Sequence, residues 1–456
     1  MSMSLPMPGN DFAIAIVGMA GRFPMAENCD EFWENLKAGK DCITRDIQEE
    51  NDNPMFIRAY GRWEDSDTFD HEFFGITYEE ASKMDPQQGK LIETCYAALE
   101  NAGCVVTNNN RIGLFAGADE FIHVWKDLYT TSEDEVDYYI KRMNFAGSFT
   151  LRASYILNLR GPSIYSKTAC ATSLVNIHLA CQSLLNYECD TALAGGISIY
   201  PEQRGYYCVE NTLSPDGYTR SFDKKAAGFV PGNGAGIVVL KRFSDAVKDR
   251  DTIYSVIYGS SVNNDGGEKI GYSAPSVDGE QRAMQDALMA AGVSPDYIQY
   301  IETHGTATKL GDEVEIQSIK NVYGSASGKI AVGSVKSNVG HLNIAAGIAG
   351  IIKTVNMLYH KTFVPSLHTD EINPDLEITQ TPFYINTETR EWINDGIPRM
   401  AGVSAFGVGG TNCHIILGEG EEHKEVVSGL SSYIFPISAA SKEAFDALKT
   451  RSYEYF

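Results

Sequence analysis

Positive charge is scarce in this chain of 456 residues: 37 Lys and Arg stand against 60 Asp and Glu, a formal net charge of -23. Such a surface repels nucleic acid and anionic lipid, so neither is expected as a partner. An acidic protein that docks on a local basic patch is not excluded. No long apolar run is present either. The longest, "FAIAIVGMAG" and "IAAGIAGII", fall short of the ~18 residues that a membrane-crossing helix needs. No basic residue precedes Arg22, so no secretory leader is expected. The nine cysteines form no CxxC pair, and their odd number and irregular spacing support neither a disulfide framework nor a structural zinc site. A reduced, cytoplasmic protein is expected.

What is present is alternation. Short β-branched runs at 13–18, 112–118, 192–199 and 235–243, then at 254–262, 298–305, 329–337 and 412–419, alternate with helical patterns, which points to an α/β protein. Two echoes suggest duplication. "ALENAG" at 98–103 precedes one of these runs and "ALMAAG" at 287–292 precedes another. Cys170 opens the run "ATSLVNIHLACQSLL", and His341 opens "LNIAAGIAGIIKTVNML"; both runs are apolar or small nearly all round, as buried helices are. If the halves are duplicates, the two helix starts meet near a pseudo-two-fold axis, bringing Cys170 and His341 together. After about residue 420 a charged, then small and polar stretch reads as a linker, followed by a helix for which Ser441 is the expected N-cap. The chain stops in mid-element, as a piece cut from something longer would.

Free cysteine is often just core. A thiol at a helix start, however, feels the positive end of the dipole, which lowers its pKa, and the small neighbours Ala169 and Ala171 leave room for a carbonyl. The backbone N–H of Cys170 can face a developing oxyanion. His304 ends a predicted strand and His341 starts a predicted helix, places where α/β sites gather. His71, His123, His178, His360, His368, His414 and His423 read as ordinary hydrogen-bonded residues. The glycines at 407, 409 and 410 allow a loop that aims a second N–H at the same oxygen. That loop leads into a strand, which argues against phosphate binding, and "PGNGAGIVVL" fails as a dinucleotide fingerprint for the same reason.

With these pieces in view, "TACATS" (168–173), "HGTATKLGDEVE" (304–315), "KSNVGHLNIAAG" (336–347) and "AGVSAFGVGGTNCH" (401–414) resemble, in order and spacing, the β-ketoacyl synthases. More narrowly, the chain is similar to ketosynthase domains of modular polyketide synthases, including hybrid polyketide–nonribosomal peptide lines. The resemblance covers about residues 12 to 418. It implies a thiolase fold, two duplicated halves in five αβαβα layers, with halves at 1–255 and 256–420 and a linker plus the start of a post-ketosynthase subdomain at 421–456.

By the same resemblance, Cys170 is the acyl-accepting nucleophile, and His304 and His341 drive decarboxylation of a malonyl extender. Lys336 and Glu315 support the histidines, and the backbone of Cys170 and Val408 forms the oxyanion hole. Thr306 and Thr308 hold the phosphopantetheine arm. That arm comes from the carrier protein, so no bound cofactor and no metal is implied. The implied partners are acyl carrier proteins, a second copy in a homodimer, and neighbouring synthase domains.

The chain departs from the family's pattern at Lys167, where an acidic residue is common, and at Ala171, Ala307, Glu313, Val408 and Cys413. None removes a reacting group; Val408 in place of a frequent aromatic bears on substrate size. An elongating condensing enzyme leads. Its rivals are a non-elongating ketosynthase that only transfers acyl chains, a silent partner lacking a nucleophile, a thiolase using Cys413 as second cysteine, and a simple fatty-acid ketosynthase. Arg220, Lys224 and Lys225 form a small basic cluster, either a carrier contact or a solvated loop.

Overall fold

The computed structural model describes residues 12–45, 53–120, 144–201, 203–267, 269–394, 396–420, 432 and 434–455. His123, His423 and the expected linker at 421–431 lie outside these residues.

Eleven strands join in one mixed sheet, and its order shows the duplication. From one edge, Ser163–Tyr165, Ile112–Ala118 and Thr191–Ser198 run parallel, followed by antiparallel Gly234–Arg242 and Ile14–Arg22. The other side repeats the pattern. Ile330–Gly333, Tyr300–Glu302 and Met400–Phe406 run parallel, followed by antiparallel Thr411–Glu419 and Ser255–Asn264. Phe383–Ile385 adds an outer parallel strand to this second half. The halves join where Ile14, Ala15 and Ile16 pair with Ile257, Val256 and Ser255.

Both predicted buried helices exist, Thr172–Leu185 and Ala346–Tyr359, and they pack on each other between the two halves of the sheet. Their apolar residues share one core with the inward faces of strands from both halves. The helices approach closely at Gly347, where a Cβ would lie 3.0 Å from Ser173 Oγ. That hydroxyl accepts the Ile348 N–H at 2.9 Å, locking the register. Pro86–Asn101 and Ser148–Ile156 cover the outer face of the first half, and Val277–Ala291 and Lys309–Tyr323 that of the second. The layers therefore run α, β, α, β, α. The ALxxAG echo falls on equivalent outer helices, each followed by a left-handed glycine, Gly103 (φ 60°) and Gly292 (φ 66°).

Two strands differ from expectation. The run 329–337 is not one strand: it breaks after Gly333 and restarts as a short helix at Lys336–Val339. Met400–Phe406 is a fully buried strand, although its sequence reads only as part of a glycine loop. Its Ala, Gly and Ser residues carry no alternation because both faces are covered. Ser441 does cap the last helix, Lys442–Tyr455, accepting the Ala444 N–H at 3.1 Å. No helix among the described residues is long and apolar enough to cross a membrane.

Candidate active site

Three loops meet where the buried helices begin. Cys170 precedes its helix by two residues, in a turn that puts Ala169 in the left-handed region at φ 50°. Thr172 holds that turn, its Oγ1 accepting the Thr168 N–H at 2.8 Å and donating to the Ala169 carbonyl at 2.6 Å. His341 stands five residues before its helix, after Lys336–Val339, rather than at the helix start as expected. Its backbone N–H donates to the Val230 carbonyl at 2.7 Å, and its ring lies edge-on to Phe229, centroids 4.6 Å apart. His304 lies two residues beyond the strand Tyr300–Glu302.

The duplication brings these loops together. His341 Nε2 is 3.2 Å from Cys170 Sγ, and the His304 and His341 rings meet edge to face with centroids 5.4 Å apart. All three line a cleft of about 870 Å³, together with Thr306, Thr308 and Val408. The two threonine hydroxyls are 3.0 Å apart. Val408 lines the cleft beside Cys170, and the backbone N–H groups of Val408 and Cys170 are close enough to the sulfur to favour its ionised form. Gly407 allows this approach, since a Cβ there would sit 2.4 Å from the Thr168 carbonyl oxygen.

Electrostatics differ from the helix-dipole expectation. Burial pushes the Cys170 thiol up to about 11, against the opposing pull of Lys336 and the two N–H groups. Desolvation of a thiolate outweighs a dipole that starts two residues away. The resting sulfur is therefore a thiol, and its proton needs an acceptor. Burial, then the Lys336 charge, holds His304 and His341 well below the usual histidine range. Both are neutral at neutral pH, so His341 can accept the Cys170 proton or donate an N–H.

Lys336 and Glu315 are buried behind the histidines. Glu315 accepts the N–H groups of His304 and Gly305, each at 2.7 Å, and so fixes the His304 loop. Burial pushes its carboxyl up to about 7. Burial also lowers the Lys336 pKa, partly offset by Glu302 and Glu315. Residues for which no role was expected complete this layer. Glu302 accepts the Val335 N–H at 2.6 Å and lies 2.8 Å from Lys353 Nζ. Asp312 accepts the N–H of Ala307 at 3.1 Å and so supports that residue in a left-handed conformation (φ 57°). Ala307 is one of the positions at which the chain departs from the pattern it resembles, and its backbone keeps a glycine-like angle with a Cβ present.

Glu280 stands beside this pair, with Oε2 buried and lacking a partner among the described residues. Burial and the neighbouring Glu315 charge raise its pKa well above the ordinary 4.5, so Glu280 keeps a proton. A carboxyl raised on folding contributes fully below the unfolded value, and that stability is lost as pH rises toward the folded value. Glu280→Gln is thus expected to raise the melting temperature near pH 8 by about 2 °C or more and to change it little near pH 4.5. Thermal melts at the two pH values check this.

The other described histidines have structural partners: His71 with the Ile76 carbonyl, His178 with Ser260, His368 with Asp41, and His414 with Tyr323 and Ser404, while His360 stacks on Trp33. Cys413 is fully buried in core, its thiol raised by burial, and does not line the cleft. That removes the second cysteine a thiolase reading requires. In the basic cluster, Arg220 pairs with Asp216 at 2.7 Å and Lys224 with Glu371 at 2.8 Å, which cancels two of its three charges.

A thiol, two neutral histidines and two convergent N–H donors, set where duplicated halves meet, are the parts that an acyl-transferring condensing site needs. The family's models match in sequence: the β-ketoacyl synthase N-terminal domain over 11–246, its C-terminal domain over 254–370, and the ketoacyl-synthetase C-terminal extension over 373–455. Polyketide synthase PksM of Bacillus subtilis is 39% identical across 97% of this chain, and a phenolphthiocerol/phthiocerol polyketide synthase of Mycobacterium tuberculosis 41% across 91%. The chain spans only 11% and 28% of the lengths of those two proteins. Among solved structures, ketosynthase twelve of the bacillaene polyketide synthase of Bacillus amyloliquefaciens superposes with a TM-score of 0.90 at 34% identity, covering 97% of this chain and 80% of that one. The ketosynthase from module 6 of the bacillaene synthase of Bacillus subtilis gives 0.86 at 38%, covering 97% and 77%. The chain belongs to the β-ketoacyl synthase family, as a polyketide synthase ketosynthase domain of the thiolase fold.

Proposed function

We propose that this domain elongates a polyketide chain by decarboxylative Claisen condensation. The observation that carries the reading is His341 Nε2 at 3.2 Å from Cys170 Sγ, with His304 edge-on beside it in the same cleft. Cys170 attacks the acyl thioester of an upstream carrier while His341 takes the thiol proton and returns it to the leaving carrier thiolate. The acyl oxyanion rests on the N–H groups of Cys170 and Val408.

A malonyl group on a second carrier then enters, its pantetheine arm held by Thr306 and Thr308. His304 and His341, both neutral and His341 now with its proton on Nε2 rather than Nδ1, donate Nε2–H bonds to the thioester oxygen as carbon dioxide leaves and the electron pair becomes an enolate. That carbanion attacks the acyl-Cys170 carbonyl. Collapse expels the Cys170 thiolate, which takes a proton from water, and leaves a β-ketoacyl chain two carbons longer on the carrier. Lys336 balances the enolate's charge and Glu315 holds the His304 loop. Decarboxylation supplies the carbanion, so the reading calls for no metal or redox cofactor.

We assign 1–255 and 256–420 to the two halves and 421–456 to a linker and the start of a further subdomain. The strands Ile14–Arg22 and Ser255–Asn264, equivalent in the sheet order, support this division. Acyl carrier proteins, neighbouring synthase domains and a second copy of the chain are the partners in this reading, and the compartment is the cytoplasm. Intact-protein mass spectrometry with acyl-carrier and malonyl-carrier substrates tests it. The expected sequence is acyl mass gained at Cys170, then lost as an elongated carrier appears. Acyl gain and onward transfer without elongation would assign the domain to chain transfer alone.

A further inference from the structure

The loops that carry Cys170 and His341 come from different halves of the chain, and one side chain outside the expected site touches both. Asp119 follows directly on the strand Ile112–Ala118 and is buried. Its Oδ2 accepts the side-chain N–H of Asn343 at 3.0 Å and the Ser198 hydroxyl at 3.0 Å, and the Tyr200 hydroxyl also donates to its carboxylate. Asn343 is two residues from His341 and sits in a left-handed conformation, φ 44°. On the other side, Lys167 Nζ lies 3.9 Å from Asp119 Oδ1 and 2.6 Å from Glu120 Oε1. Lys167 is three residues from Cys170, and the intervening turn holds Ala169 at φ 50°. The His341 turn is thus hydrogen-bonded to Asp119, and the Cys170 turn is tied through Lys167 to the adjoining acidic pair, directly to Glu120 and at longer range to Asp119.

We propose that Asp119 is a positioning residue, which with Lys167 ties the Cys170 and His341 loops into register and sets the charge that the sulfur feels. Mooring two loops that different sheet strands deliver is what a 3.2 Å sulfur–nitrogen contact requires, since a strained turn drifts unless its surroundings fix it. The carboxylate is also close enough to raise the Cys170 pKa by its charge. Lys167 opposes that effect by neutralising part of the Asp119 and Glu120 charge. This gives the unusual lysine a function in the chain: it compensates an acidic pair beside the nucleophile. The charged and titratable groups that face this arrangement are Lys167, Glu120, Tyr60, Tyr165 and Tyr200 around Asp119, and Lys336 and the two histidines around Cys170.

The inference rests on the reading of Cys170 as the nucleophile, but its test does not depend on elongation. Alkylation of Cys170 by iodoacetamide, followed by peptide mass spectrometry across a pH series from near neutral into the alkaline range, reads the thiol directly. Asp119→Asn is expected to speed alkylation near neutral pH by roughly threefold and to shift its pH midpoint downward. Lys167→Met, at a partly exposed side chain, is expected to shift the midpoint upward. Acyl transfer from a carrier should fall roughly tenfold in kcat for Asp119→Asn with KM little changed, as misalignment rather than lost binding predicts. Opposite shifts in the two variants support the proposal. Unchanged profiles, or shifts of the same sign in both, overturn it, because a merely structural role has no reason to follow charge. A domain that transfers without condensing would still show the opposite shifts, so the two readings fail separately.

Discussion

Cys170→Ala gains no acyl mass from an acyl-carrier donor, while the wild-type domain gains one acyl group; intact-protein mass spectrometry reads both. The loss is complete because no other sulfur can substitute. Of the other eight cysteines, none lines the cleft. The substitution removes one Sγ and leaves a methyl group in a turn that already accepts alanine on both sides, so the fold is expected to persist. A melting temperature within a few degrees of wild type shows that chemistry rather than folding was lost. Normal acylation of the variant would remove Cys170 as the nucleophile.

His304→Ala is expected to separate the two half-reactions. His341, not His304, is the nitrogen at 3.2 Å from the sulfur, so the variant should still take up the acyl chain. Condensation should fall by about 10²–10³-fold, the scale of losing one preorganised donor to a developing oxyanion. The neutral state of His304 matters here: burial and the Lys336 charge keep its pKa well below 6.5, so it offers an N–H bond and not a cation. Because its folded pKa is depressed, condensation should not decline as pH rises through the ordinary histidine range. Product formation from malonyl-carrier, followed by mass spectrometry of the carrier, reads the rate. Condensation at wild-type speed in this variant would assign enolate stabilisation elsewhere; loss of acylation as well would mean that the two histidines act as one unit.

Which parts of this were legible beforehand follows from where each signal resides. The buried helices declared themselves because a segment apolar nearly all round has only the interior to occupy. Cys170 and His341 could be paired from equivalent starts of those helices, without any contact being known. Thr306, Thr308 and Val408 came only with the motifs that contain them. Asp312 lay inside one of those motifs without a role of its own, and Glu302, Glu280 and Asp119 stood in none of the four quoted motifs, since a carboxylate buried at one site and solvated at another looks the same in one dimension. Met400–Phe406 was invisible for a related reason: a strand covered on both faces by helices shows no period of two.

The thiol's state also belongs to three dimensions. A cysteine before a helix argues for a lowered pKa, yet burial raises Cys170 to about 11, and in the proposed reaction His341 accepts its proton. Sequence by itself determined the α/β class, the duplication, and which three side chains to propose for the reaction, because periodicity and residue order are properties of the chain. Only the tertiary structure decided that Cys170 and His341, 171 residues apart, approach to 3.2 Å, and that Asp119 of the first half accepts a hydrogen bond from Asn343 beside His341. Distance and desolvation are set by which strands lie beside one another, and that is a property of the packed sheet.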